Sequence, residues 1–114
     1  MYPDDVIGDV FRRLKEDNFD FSVEHPVDFY AIYATEKEVD LIAKQYVADW
    51  KAGQQFKNIE TRPSDEGGME LELVPMMMVT YENVSAFEKV LAARTAKVNG
   101  YLNGWGVWNG DNSF

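Results

Sequence analysis

The sequence has no cysteine and only one histidine in 114 residues. The first absence excludes disulfides, thiolate metal sites and cysteine nucleophiles. The second leaves little for imidazole acid–base chemistry: His25, directly before Pro26, is expected in a loop, with no Ser or Asp partner at a recognisable spacing. Positive charge is scarce as well, with 11 Lys+Arg against 20 Asp+Glu and a net charge of −9. Binding to a phosphate backbone needs clustered Lys and Arg. The one cluster, Arg12-Arg13-Lys15, is flanked by Asp9, Glu16 and Asp17. Direct nucleic-acid binding is therefore not expected, and a basic protein surface is the better electrostatic complement. Long apolar runs are missing too: stretches such as Met76 to Val79 fall far short of the ~20 residues a membrane span needs. Met1-Tyr2-Pro3-Asp4-Asp5 has neither a basic n-region nor an apolar h-region, which predicts no signal peptide. With the lack of cysteine, this points to a cytoplasmic protein.

What is present suits one globular domain over residues 1–114: 46% of the residues are apolar and 14% aromatic. A helix is expected over about 3–17, where Val6, Ile7, Val10, Phe11 and Leu14 make one apolar stripe. A polar connector, 18–26, leads to a strand over 27–34. Its Phe29, Ala31 and Tyr33 oppose Asp28, Tyr30 and Ile32, so both faces are largely apolar and the strand is expected to be central. Thr35 and Glu38 have capping-box spacing. Behind them, Val39, Ile42, Ala43, Tyr46, Val47 and Trp50 repeat at helical intervals up to a Gly53 C-cap. A polar strand over 55–62 reads as an edge. Pro63 to Gly68 reads as a hairpin turn; Asp65 and Glu66 and the lack of a lysine exclude a phosphate loop. The next strand, 69–80, sets Leu71 and Leu73 opposite Glu70 and Glu72, and Pro75 predicts a bulge or unpaired stretch. Met76-Met77-Met78 reads as core filler rather than a soft surface. A helix over 83–99 carries Val84, Phe87, Val90, Leu91, Arg94 and Val98 on one side, and a last strand runs from Tyr101 to Asn109. After the first helix the order over about 27–109 is βαββαβ. The fold class is thus α+β: a ferredoxin-like split βαββαβ antiparallel sheet with an extra N-terminal helix, its first and third strands in the middle.

Chemistry-bearing clusters are few. Asp17, Asp20, Glu24 and His25 lack the glycine and spacing of an EF-hand loop and read as a solvated acidic loop. No metal, cofactor or catalytic residue is expected. Tyr101 to Trp108 is less bland, mixing Gly104 and Gly106 with Tyr101, Trp105 and Trp108. On a regular strand Tyr101, Trp105 and Val107 would share one face, and Leu102, Gly104, Gly106 and Trp108 the other. Trp105 is expected in the core, whereas Trp108 is open to either core or partner contact.

Gly104-Trp105-Gly106, closing a βαββαβ unit, resembles the RraB family, protein regulators of ribonuclease E. Other pieces match in order: Leu14-Lys15-Glu16-Asp17 ending the first helix, Trp50-Lys51-Ala52-Gly53 closing the second, and the acidic hairpin Asp65-Glu66-Gly67. The resemblance spans about Val6 to Trp108, with Asn18-Phe19 standing where the family usually has glycine. It implies a ferredoxin-like fold with an added N-terminal helix, and a non-catalytic protein that binds and restrains ribonuclease E without a cofactor. The acidic hairpin residues Asp65, Glu66, Glu70 and Glu72, together with Trp108, are the candidate partner-binding residues. Two alternatives stay open: an immunity-type inhibitor of another basic protein, and a small-molecule-sensing domain. The oligomeric state is not legible in the sequence.

Overall fold

The computed structural model of the protein describes residues 6–16, 19–65 and 67–107. The elements run α1 (Val6–Glu16), β1 (Glu24–Tyr33), α2 (Glu36–Lys51), β2 (Phe56–Pro63), β3 (Met69–Met78), α3 (Tyr81–Ala96) and β4 (Tyr101–Val107). The strands form one open sheet in the order β2-β3-β1-β4, and every neighbouring pair is antiparallel. The expected α+β arrangement is therefore the observed one, with β1 and β3 central.

Local sequence explains the helix starts. Thr35 caps α2: its hydroxyl accepts from the Glu38 amide while the Glu38 carboxylate accepts from the Thr35 amide, a reciprocal capping box. Thr80 caps α3 by accepting from the Asn83 amide at 3.0 Å, so α3 begins two residues before the expected Asn83. At the far end of α2 the cap is Ala52, and Gly53 follows it.

The core lies between the sheet and the helices. Phe29, Ala31 and Tyr33 of β1 and Leu71 and Leu73 of β3 bury against Val39, Ile42 and Tyr46 of α2 and Val84 and Leu91 of α3. Tyr33 also binds across the core, its hydroxyl 2.7 Å from that of buried Thr95, so both polar groups are satisfied. α1 extends this helical layer beside α3: Phe11 is fully buried, with its ring 6.5 Å from Tyr81 and 6.4 Å from Trp105. Trp105 in turn stacks 6.2 Å from Phe29, as its core assignment requires.

Four local expectations are corrected. His25 is not in a loop: β1 starts at Glu24, and His25 pairs with Met77. In β4 the pairing slips opposite Tyr30, between Phe29↔Trp105 and Ala31↔Leu102, and Gly104 sits there at φ +102°. A β-bulge of this kind needs a residue that tolerates the left-handed region. The extra residue reverses the alternation, so Leu102 packs on the core with Trp105 and Val107 while Tyr101 points to solvent. Val90 is 47% exposed, because it lies about 100° around α3 from Leu91, which faces the sheet. Met78 is also exposed and Met76 only half-buried, so of the methionine run Met77 alone packs on the core. The bulge expected at Pro75 is present on the facing strand: the register moves between Phe56↔Pro75 and Asn58↔Val74, leaving Lys57 as the extra residue.

The β2–β3 turn is closed by the Ser64 amide donating to the Gly68 carbonyl at 3.0 Å. Gly68 has φ +76°, and a Cβ there would lie 2.4 Å from the Tyr33 carbonyl oxygen. Gly68→Ala should therefore destabilise the fold by about 1–3 kcal/mol in urea unfolding. Gly67→Ala, at φ +98° but with nothing within 4 Å of the added carbon, should carry the backbone strain without the clash and so cost less than Gly68→Ala.

Candidate functional site

Alternation on the two central strands sends one set of side chains to the helices and the other to the opposite face. The outward set is Asp28, Tyr30 and Ile32 on β1, and Glu70, Glu72 and Val74 on β3. The pairs Asn58↔Val74, Glu60↔Glu72 and Arg62↔Glu70 add the matching residues of β2. Among the described residues no helix covers this face. It carries three carboxylates, Glu60, Glu70 and Glu72, around the Arg62 guanidinium, and a fourth, the buried Asp28, beyond Tyr30.

Arg62 organises the face. Its Nε donates to Glu70 at 3.0 Å, one terminal nitrogen to Glu72 at 2.7 Å and the other to Glu60 at 2.8 Å. Glu60 and Glu72 stand directly opposite each other, and like charges so placed repel. A planar fork of donors inserted between them turns that repulsion into a chelate. Hydrogen bonds to Glu72, working against partial burial, raise the Arg62 pKa further above its already high value. Beyond Glu72, the Tyr30 hydroxyl lies 3.3 Å from both Glu72 and the buried Asp28 carboxylate. Burial first, and then the charges of Asp28 and Glu72, push the Tyr30 phenol well above the ordinary tyrosine range. The network thus runs from edge strand to central strand as Glu60–Arg62–Glu72–Tyr30–Asp28.

At the hairpin end the face deepens into a small polar hollow of about 240 Å³, lined by Arg62, Ser64, Asp65, Glu70 and Asn103. The structure therefore brings Asp65, Glu70 and Glu72 to one surface, with Asp65 exposed on the turn. Glu66 and Trp108 lie outside the described residues. Sequence reasoning missed Arg62, Tyr30, Asp28 and Asn103. The first had a signal: around a turn at 63–68, a hairpin places Arg62 across from Glu70.

The other candidates have local roles. The His25 Nε2 is 2.7 Å from the Asp20 carbonyl, and its ring packs 4.3 Å from Phe19. The Asp20 carboxylate is held below the usual range by the Ser22 hydroxyl and amide. Among the described residues no three His, Asp or Glu side chains converge as a metal site; Asp17 lies outside them. No described helix is long and apolar enough to cross a membrane.

The sequence model of the RraB family, described as regulator of ribonuclease activity B, matches residues 4–107. No curated protein matches the chain.

Arg62→Gln should cost about 1–2 kcal/mol in urea unfolding at pH 7 and low salt, because it leaves Glu60 facing Glu72 unscreened. Adding Glu72→Gln should restore part of that loss, and added salt should shrink it. A tyrosine whose folded pKa exceeds its unfolded value of 10.0 gives stability that is intact below pH 10 and lost as pH rises through the folded value. Tyr30→Phe should therefore flatten the decline of stability above pH 10, read from alkaline unfolding curves.

Proposed function

The chain belongs to the RraB family of ribonuclease-activity regulators, and from that premise we propose that it is a non-catalytic cytoplasmic protein that binds ribonuclease E and lowers its cutting through direct protein contact. The observation that supports this reading is the outward sheet face, where three carboxylates share one guanidinium and Asp65 adds an exposed charge at the hairpin. A face of this kind steers and registers a basic protein segment. It equally repels a nucleic-acid backbone, so regulation acts on the nuclease rather than on its RNA substrate. The net charge of −9 extends the same field over the whole chain.

The binding contribution of the face comes from its solvent-exposed carboxylates. Glu72 and Glu70, held by Arg62, are only 14% and 22% exposed at the side chain, whereas Glu60 is 51% exposed. Glu60 and Asp65 are therefore the residues through which the partner's cations are met, and Glu70 and Glu72 hold the face in shape.

Titration of purified ribonuclease E with this protein should show binding that weakens at least tenfold between about 0.05 and 0.5 M salt, as a charge-driven contact screens. RNA cleavage should fall as the complex forms. Glu60→Lys with Asp65→Lys should weaken binding about tenfold or more without changing the circular dichroism spectrum. Absence of binding to ribonuclease E, with capture of a different basic protein by the same face, would overturn this reading in favour of an immunity-type inhibitor.

A further inference from the structure

The methionine run ends β3, at the far end of the strand from Glu70 and the hairpin. At the end of β3, beyond its last pairing with β2 at Pro75, Met76, Met77 and Met78 line an open groove of about 580 Å³. Phe87 and Val90 of α3 and Tyr46 of α2 line it as well. Arg94 also lines it: its guanidinium pairs with Asp49 at 2.9 Å and sits 4.5 Å over the Tyr46 ring. At the rim stands Glu24, which is exposed. Among the described residues no ion pair engages it.

We infer that this groove is a second docking site, taking a short amphipathic protein segment that inserts bulky apolar side chains between Met78 and Val90 and sets a basic residue against Glu24. Three features select that occupant. The apolar lining does not stop at the groove's mouth: Met78 is 36% and Val90 47% exposed, so it continues onto the surface. A small molecule is typically enclosed over most of its area, whereas an apolar surface that runs out over the rim matches the face of a helix or peptide. Unbranched methionines repack around different side chains, which suits a sequence-tolerant apolar contact. The charge at the rim is negative and unanswered, since Arg94 is occupied by Asp49, and the field of the whole chain favours a cationic flank. The groove is at the far end of β3 from Arg62, which pairs with Glu70, so it rests on the ribonuclease reading only in taking a protein as the occupant.

The test is a nuclear magnetic resonance titration of the full isotope-labelled chain. The probes are a synthetic helical peptide with leucines on one face and one flanking lysine, and its Lys→Glu counterpart. Amide shifts should concentrate at Met76–Met78 and Phe87–Val90, and the lysine peptide should bind more tightly. Val90→Asp should weaken binding about tenfold, and Glu24→Lys, at an exposed site that does not threaten folding, should reverse the preference between the two peptides. Asp65→Lys should leave peptide binding unchanged, which separates this site from the outward face. Unshifted groove amides at saturating peptide, or equal binding of both peptides by wild type and Glu24→Lys, would overturn the inference. So would concentration-dependent self-association abolished by Val90→Asp, which would make a second copy the occupant.

Discussion

The described helices pack on one face of the sheet, and the carboxylates on its other face must be accommodated while the strands keep their register. Here the Arg62 guanidinium meets that constraint. The register that buries Leu71 and Leu73 against the helices also places Glu60 opposite Glu72. The repulsion is therefore built in by the core, and it is resolved by one planar cation on the neighbouring β2 position. Tyr30 carries the network on to Asp28, a buried carboxylate on the central strand. Charge at these positions is a consequence of strand pairing, and the acidic surface comes with it.

The helical side is held by aromatic contact. Phe11, Trp105, Phe29, Phe87, Tyr46 and Phe56 follow one another through ring separations between 4.5 and 6.4 Å, linking α1, β4, β1, α3, α2 and β2. Such pairs add about 0.5–1.5 kcal/mol each beyond their buried area. The bulge at Gly104 fits this arrangement, because it lets Leu102 and Trp105 face the same layer from one short strand. The N-terminal helix joins the same series through Phe11, which leaves the outward face of the sheet uncovered by any described helix. Where the series ends at Phe56, Trp50 packs its ring 5.9 Å away and remains 41% exposed.

Two surfaces of different chemistry result. One is polar, acidic and rigid, its central carboxylates fixed by Arg62. The other is apolar and deformable, walled by methionine. A protein that acts by contact gains from the pair, since the first supplies long-range attraction and the second short-range burial.

The sequence by itself determined the order of elements, the central place of β1 and β3, the capping box at Thr35 and the acidic character of the hairpin. Each rests on residues close in the chain: periodicity, a cap three residues from its partner, a charge count. Tertiary structure alone decided the rest. Arg62 became the centre of the outward face because pairing placed three carboxylates around it, two of them on another strand. Tyr101 and Leu102 exchanged faces because a glycine at φ +102° inserted one residue into the β1–β4 ladder. Met78 and Val90, from different elements, were brought together to line one open groove at the end of β3. Alternation and helical period give the direction of a side chain along its own element; what stands opposite is fixed only when a distant part of the chain arrives.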